Sequence, residues 1–419
     1  MNIKLPLSKF TLLIAFLFLF APSSFAQTAK VQAPRQEKLL NGLKTLVWSE
    51  PGAGKVTVKI RVHSGSAFDP QNKEGVMALL GEALFPNEVA REFFREDLGG
   101  SLEIISNYDY LQINATANPD QFLTMLEALA VAVTNPQIDK ATTEKVRSAQ
   151  IEKVRELEKS PKYAADQAVA KRLFGDFPYG RAQTGTVESL GRVDFADLLF
   201  AKERFLTSDN ATLAISGNVK PELALRAARR FFGSWVKADK KVPATFRQPE
   251  APDTTILTTK SPDENQSEMR IAFRGLARGD KDFWASSVLT NILKTRHTGE
   301  VRHESRLLPG IILLSVSATD SAMLQISKAK IDSYFNQPIK DSEFAAAKNN
   351  LLIDLNKKDV AEMWLDADTY KLESVKADWQ AAQNVNLADV NKLIERFKKE
   401  SFVTVLTLQN KSTAPATNN

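Results

Sequence analysis

The chain has 419 residues, of which 43% are apolar and 25% are charged, and these globular proportions exclude a disordered, collagen-like or coiled-coil protein. Basic residues exceed acidic ones by only 55 to 50, and this small excess excludes the electrostatic footprint of a nucleic-acid-binding protein. Cysteine is absent, which excludes disulfides, thiol nucleophiles and cysteine–zinc sites, and leaves His63, His297 and His303 as the only histidines.

Residues 1–26 have the pattern of a secretory signal peptide. Lys4 and Lys9 precede an almost wholly apolar run, Phe10–Ala21, and small residues follow at Ser24 and Ala26. The apolar run is too short to cross a membrane, which takes roughly 20 residues. We therefore expect cleavage after Ala26 and a soluble exported chain, which would be periplasmic in a Gram-negative source.

After the signal peptide, the hydrophobic pattern predicts an α+β domain at 27–236, a linker at 237–253, a second α+β domain at 254–410 and a polar tail at 411–419. Alternating or β-branched runs predict the strands 39–47 (a pair), 56–63, 102–117 (a pair), 211–216, 254–259, 268–275, 310–318 and 402–409. Helical spacing of apolar residues predicts the helices 75–85, 120–132, 141–173 (interrupted at 160–161), 190–205, 221–235, 281–293, 322–335, 341–372 and 386–400.

The two parts share one design, because strands followed by runs of helices occur twice. Asn41-Gly42 supplies a hairpin turn early in the first part, and the segment 237–253 is rich in Lys, Pro and Asp without periodicity. The pattern predicts two α+β domains of similar design. It makes a duplication plausible, although no repeat is visible residue by residue.

Several motifs then carry a resemblance to a known family. They are Leu40–Leu43 (LNGL), Gly75–Phe85, Phe177–Arg181 (FPYGR), Thr184–Leu190 (TGTVESL), Asp209–Leu213 with Gly217–Val219, and Phe231–Gly233. In their order and spacing the chain resembles the pitrilysin/insulinase family of zinc metallopeptidases, in the short branch that includes the mitochondrial processing peptidase subunits. The resemblance implies that each chain consists of two homologous α+β domains, each a mainly antiparallel sheet with helices packed on it. It also implies that the chain is half of a clamshell assembly, which encloses a chamber and hydrolyses peptides.

The zinc motif of that family is absent from the matching helix. The motif is H-x-x-E-H, in which two histidines hold the metal and the glutamate activates a water. Ala78, Gly81 and Glu82 occupy the three positions, and Lys153, beside Glu152, occupies the position of the third ligand. A catalytic zinc needs three protein ligands, so we predict no catalytic residue, no metal site and no cofactor.

The remaining histidines do not form an alternative site. The spacing of His297, Glu300, His303 and Glu304 matches no metal motif, so we interpret both histidines as polar surface residues. His63 lies in a predicted strand and is interpreted as structural. A G-x-S-x-G nucleophile motif is also absent.

The family's substrate contacts are only partly retained. The resemblance implies an arginine and, seven residues later, a tyrosine that bind substrate, and these positions hold Arg302 and Pro309. Arg302 is therefore the one candidate substrate-binding residue, with a plain surface arginine as the alternative. The family's substrate-binding edge strand is matched by the segment that contains Glu103 and Ile104, where its side-chain contact is changed.

These observations favour a catalytically inactive member of the family. The main hypothesis is the non-catalytic subunit of an exported heterodimeric zinc peptidase that acts on peptides or unfolded segments, with a short-chain partner that carries the zinc motif. The alternative is a pseudoenzyme of the cell envelope that captures peptides or scaffolds a complex. An active peptidase with an unorthodox site is the least favoured reading. No nucleic-acid partner and no membrane segment after signal cleavage are expected.

Overall fold

A computed structural model of the chain describes residues 32–238, 246–319 and 321–409. The predicted signal peptide, the polar tail and part of the predicted linker lie outside these residues. Within them, no helix is both long enough and apolar enough to cross a membrane. The domain boundaries given above stay predictions.

A six-stranded sheet forms the framework of the first part of the chain. Its strands are β1 (Arg35–Lys38), β2 (Lys44–Ser49), β3 (Val56–Val62), β4 (Ser101–Ser106), β5 (Leu111–Ala117) and β6 (Ala211–Gly217), in the spatial order β1-β2-β6-β3-β5-β4. The β2–β6 pair is parallel and the other pairs are antiparallel. Gly42 makes the β1–β2 turn with φ of +92°, a conformation that glycine adopts without steric cost.

A five-stranded sheet forms the framework of the second part. Its strands are β7 (Leu257–Lys260), β8 (Ser267–Arg274), β9 (Val301–Glu304), β10 (Ile311–Ala318) and β11 (Val403–Leu408), in the order β7-β11-β8-β10-β9. Without β1, the first sheet has the same order when strands are matched along the chain, and β7–β11 is again the parallel pair. The predicted fold class, two homologous α+β domains with mainly antiparallel sheets, is therefore confirmed.

Fourteen α-helices within the described residues complete the two parts. They are α1 (Val76–Ala83), α2 (Glu88–Glu96), α3 (Phe122–Thr134), α4 (Lys140–Glu158), α5 (Pro161–Phe174), α6 (Val187–Gly191), α7 (Phe195–Phe205), α8 (Pro221–Phe232), α9 (Phe283–Arg296), α10 (Ser321–Ser333), α11 (Asp341–Lys357), α12 (Val360–Thr369), α13 (Val375–Asn384) and α14 (Leu387–Phe397). Polar caps set several starts: the Ser160 hydroxyl accepts from the Tyr163 amide at the first turn of α5, and Asp194 and Asn386 begin capping boxes.

The structure differs from the sequence prediction in several places, among them the first strand, which lies at Arg35–Lys38 and not within 39–47. Helices α2 and α13 and strand β9 were not predicted, because they are short and mostly polar: α2 buries only Phe94. The single helix predicted over 341–372 is wrong, since α11 ends at Lys357 and α12 begins after Asp359. The Asp359 carboxylate accepts from the Ala361 amide and caps the new helix.

Each part of the chain packs one helix on the sheet of the other part. Helix α5 packs on β8 and β11 of the second sheet, where Val169, Leu173 and Phe174 join a common apolar cluster with residues of those strands. Helix α12 packs on β6 of the first sheet, where Ala361 and Leu365 contact the cluster around Trp48. Each sheet thus has one face covered by its own helices and the other by a helix from the other part.

Candidate functional site

Helix α1, which matches the family's metal-binding helix, is held firmly at its start. The buried carboxylate of Asp69 accepts from the amides of Gly75, at 2.7 Å, and Met77, at 2.8 Å. Burial raises the pKa of Asp69 to about 8 despite these bonds. Gly75 has φ of +102°, and a Cβ there would lie 2.6 Å from Leu190 Cδ2. The TGTVESL segment, which ends at Leu190, therefore packs so close to α1 that only glycine fits at position 75.

The position of the family's general base is closed by the sheet. Gly81 is buried, and a Cβ on it would lie 2.7 Å from Leu111 Cδ1 and 3.0 Å from Ile104 Cγ2. These side chains come from β5 and β4, on which α1 packs. One turn earlier, Ala78 is 8% exposed. Any side chain at position 81 would therefore have to displace the ends of these two apolar side chains.

The other two metal-site positions converge as an ion pair. Lys153 Nζ on α4 lies 3.5 Å from Glu82 Oε1 on α1, and Arg91 Nη2 on α2 lies 3.1 Å from Glu82 Oε2. Glu152 points elsewhere and pairs with Arg155. The structure thus brings together the residues that the resemblance matched, but it places two cations around the single carboxylate.

Arg91 was missed by the sequence analysis, because helix α2 was missed. The signal that could have found it is local: Val89, Phe93 and Phe94 alternate with charged residues at helical spacing in Glu88–Glu96. With α2 in place, Arg91 lies beside the α1 motif.

A cleft of about 550 Å³ lies over these residues and reaches the edge strand β4. It is bounded by α1, α2, β4 and α4, and it has balanced charges from Glu82, Glu88, Glu103, Arg91, Lys145 and Lys153. Within the described residues β4 pairs only with β5, so the backbone groups of its outer edge have no strand partner. Glu103 on this edge accepts from Asn114 Nδ2 at 3.0 Å. The cleft offers a peptide a free strand edge.

The histidines are held apart in the fold. His63 lies between the hydroxyls of Thr212 and Thr369, each 3.0 Å away, and burial lowers its pKa to about 3. The prediction that His297 lies at the surface is wrong: it is 7% exposed, and its Nε2 donates to the Ser315 carbonyl at 2.8 Å. His303 is also largely buried, and burial lowers its pKa to about 4. Within 32–238, 246–319 and 321–409, no three His, Asp or Glu side chains gather as a metal site.

Arg302, the candidate substrate-binding residue, lies on β9 and is engaged within the chain. Its Nη2 is 2.9 Å from Asp166 Oδ2 on α5, and its side chain is 33% exposed. Asp166 also binds the buried Arg270, whose Nε lies 2.6 Å from Oδ1. Arg302 and Arg270 therefore bind the same carboxylate, which belongs to the first part of the chain.

The loop after β9, which contains Pro309, is docked on the FPYGR segment. The Tyr179 hydroxyl donates to Asp109 Oδ1 at 2.7 Å and accepts from the Leu308 amide at 3.2 Å. The other Asp109 oxygen accepts from the Leu307 amide at 3.0 Å. The tyrosine of this motif thus joins the two parts of the chain.

Comparison with protein families matches most of the chain, between residues 44 and 351, to one family. The sequence model for the insulinase family, peptidase family M16, matches residues 44–187, and the model for the peptidase M16 inactive domain matches residues 192–351. An uncharacterized zinc protease of Mycobacterium tuberculosis is 24% identical over 301 residues, which cover 70% of this chain and 69% of that protein. A probable mitochondrial-processing peptidase subunit beta of Arabidopsis thaliana is 22% identical over 266 residues, 62% of this chain and 50% of that protein.

Solved structures of the same fold cover about nine-tenths of the chain. A protease from Helicobacter pylori has a TM-score of 0.81 at 15% identity and covers 90% of this chain and 100% of its own. A peptidase M16 inactive domain from Pseudomonas fluorescens has a TM-score of 0.77 at 17% identity, with 89% and 97% covered. The first half of the periplasmic protease PqqL from Escherichia coli has a TM-score of 0.72 at 14% identity, with 90% and 92% covered. The fold is therefore that of half a clamshell.

Proposed function

Because this chain belongs to the insulinase family of peptidases, peptidase family M16, we propose that it is the non-catalytic subunit of an exported heterodimeric zinc peptidase. The observation that carries the proposal is the state of the α1–α4 cleft. Gly81 packs under Leu111 and Ile104, and Glu82 pairs with Lys153 and Arg91. A catalytic zinc needs three protein ligands and a water-activating base, and a neighbouring ammonium group repels a dication.

The second element of the proposal is a partner chain. The fold matches half of a clamshell, so a second half is needed to enclose a chamber, and a short family member with H-x-x-E-H would supply the metal. The free outer edge of β4 supports the same idea, because unpaired strand edges are usually covered or charged. The substrates would be peptides or unfolded segments that fit the chamber.

Co-purification tests the partner. The tagged chain is isolated from the periplasm of its source, and the proteins that accompany it are identified by mass spectrometry. We expect a short family chain that carries H-x-x-E-H, in a complex that cleaves an unstructured peptide and loses activity with a chelator. Isolation of the chain without any family member would contradict the proposal.

Arg302 tests the role of the second part in that complex. If Arg302 contacts substrate, Arg302→Ala lowers peptidase activity by about tenfold or more, as expected for the loss of a charged hydrogen bond, and leaves the complex assembled. Arg35→Ala, which removes an exposed arginine paired with Glu222, is the control and leaves activity unchanged. If the Arg302→Ala complex keeps full activity, Arg302 does not contact the substrate.

Export has its own test. N-terminal sequencing of the mature protein should find Gln27, free or cyclised, because Ser24 and Ala26 form the cleavage pattern. Met1 on protein from the cytoplasm would contradict this part of the proposal.

A second candidate function is a pseudoenzyme that binds peptides or scaffolds a complex of the cell envelope. The observation that favours it is the free β4 edge beside the cleft of about 550 Å³, which can accept an extended peptide without a partner chain. The two functions are separated by measuring peptide binding to the chain alone. Binding without cleavage, and without a family partner in the source, favours this second function.

A further inference from the structure

A second cavity, separate from the α1 cleft, lies where the two parts of the chain meet. It has a volume of about 390 Å³ and shares no residue with the cleft. Its walls come from α9, β9, α11 and α12 of the second part, and Tyr110 of the first part closes one side. The volume is at the small end of the range of ligand pockets in proteins, which is about 300–1,000 Å³.

One wall of this cavity is a rigid aromatic surface. Asp378 accepts from Trp284 Nε1 at 2.9 Å and from Arg278 Nη1 at 2.9 Å, which fixes both side chains. The Arg278 guanidinium lies 4.6 Å from the ring centres of Phe283 and Trp284, and the His303 ring lies 5.0 Å from that of Phe283. Such a preorganised wall loses little conformational entropy when it receives an apolar side chain.

Two tyrosine hydroxyls also line the cavity. Tyr370 is 7% exposed, and within the described parts of the chain neither its hydroxyl nor that of Tyr110 has a hydrogen-bond partner. Burial raises the pKa of both, so both hydroxyls stay protonated at neutral pH. A tyrosine hydroxyl can donate and accept a hydrogen bond, so this pair offers polar contacts to a ligand.

Among the described charged groups around the cavity, one cation and one anion have no ion-pair partner. Glu362 and Asp366 are bound by Arg61, and Lys358 also binds Asp366. Lys294 on α9 and Asp354 on α11 lie at the exposed rim of the cavity and have no ion-pair partner among the residues that the structure describes. Asp354 lies in the last turn of α11, where the helix dipole disfavours a negative charge. The charge of Asp354 therefore does not stabilise its own helix.

We propose that this cavity binds a short peptide with both termini free, of the size of a dipeptide. Its ammonium group pairs with Asp354, its carboxylate pairs with Lys294, and its side chain lies against the Trp284 wall. A single ligand that carries both charges uses both unpaired groups, which neither an anion nor a cation does. The site goes beyond the proposed function, because it requires no partner chain and no cleavage.

Calorimetric titration of the mature chain with three probes tests the proposal. The probes are the dipeptide Ala-Phe, its N-acetyl form, which lacks the ammonium, and its C-terminal amide, which lacks the carboxylate. We expect one Ala-Phe to bind per chain and each capped form to bind about tenfold or more weakly, since each loses a charge-assisted hydrogen bond.

Variants then assign the two charges. In Lys294→Gln, Ala-Phe should bind about as weakly as the amide does to the unchanged protein, and amidation should cost nothing more. Asp354→Asn should do the same for N-acetylation. Lys281→Gln and Asp341→Asn, at exposed charges next to or on the same helices but outside the cavity, should bind Ala-Phe normally. No binding at millimolar Ala-Phe, equal binding of the capped forms, or normal binding by both cavity variants overturns the proposal.

Discussion

The α1 cleft and the junction between the two parts differ in how well their side chains are matched to one another. At the junction, the buried charge of Arg61 is matched: this residue is 0% exposed and binds Glu362 and Asp366 of α12, with 2.7 Å between its Nη1 and Asp366 Oδ1. In the cleft, the positions where the family does chemistry hold Ala78, Gly81 and a paired Glu82. The difference supports the proposal that this chain keeps the frame of the family fold without its metal site. Each prediction below tests one side of this contrast.

The largest effect is expected at the junction. Arg61→Met removes the one fully buried partner of Glu362 and Asp366, which keep only Lys59 and Lys358, so the free energy of unfolding should fall by about 2–3 kcal/mol. Urea unfolding followed by circular dichroism measures the loss. Lys159→Ala removes an exposed pair with Glu156 as a control and should change stability by less than about 1 kcal/mol. Equal effects of the two variants would show that the junction is no stronger than the surface.

The pH dependence of stability gives the next effect. Burial holds the pKa of His63 at about 3 in the folded chain, against 6.5 ordinarily, so the unfolded chain takes up this proton first as pH falls. Stability should therefore decrease from pH 6.5 towards pH 3, with up to about 2 kcal/mol lost to His63 at pH 5. His63→Gln should flatten the profile in this window.

His303 provides the matched comparison in the second part. Burial holds its pKa at about 4, so its contribution is lost in the same direction between pH 6.5 and pH 4. His303→Gln should remove a second, smaller part of the slope. A profile that neither variant alters would mean that these histidines are protonated in the folded protein.

A smaller effect of unusual sign is expected in the cleft. Gly→Ala inside a helix ordinarily stabilises a protein by about 1 kcal/mol. At Gly81 the new methyl would meet Leu111 and Ile104, so Gly81→Ala should instead destabilise by about 1–2 kcal/mol. Gly191→Ala is the control, since a Cβ there meets no atom within 4 Å. If Gly81→Ala stabilises the chain, Leu111 and Ile104 do not close this position.

The sequence supports the frame better than it supports the site. Alternating runs such as Val56–Val62 are local signals, and they predicted most strands and the two-domain fold class. The pairing of α1 with α4 was implied by the family resemblance, and Lys153 does lie beside Glu82. Short polar elements such as α2 and β9 have weak periodicity and were missed, and Arg91 was missed with α2.

Contacts between distant segments account for the other omissions. Gly81 is closed by Leu111 and Ile104, which are far along the chain, so its packing has no local signal. His297 has polar neighbours in sequence, but the fold buries it against β10, where it donates a hydrogen bond to the Ser315 carbonyl. The junction depends on pairs such as Arg61 with Asp366, whose partners are some 300 residues apart.

The central claim, that the chain has the frame of a zinc peptidase without its chemistry, is tested most directly on the purified mature chain alone. Elemental analysis gives its zinc content, and an unstructured peptide reports cleavage with and without a chelator. We predict no stoichiometric zinc and no cleavage, because Ala78, Gly81, Glu82 and Lys153 supply neither three ligands nor a base. One zinc per chain together with chelator-sensitive cleavage would contradict the account.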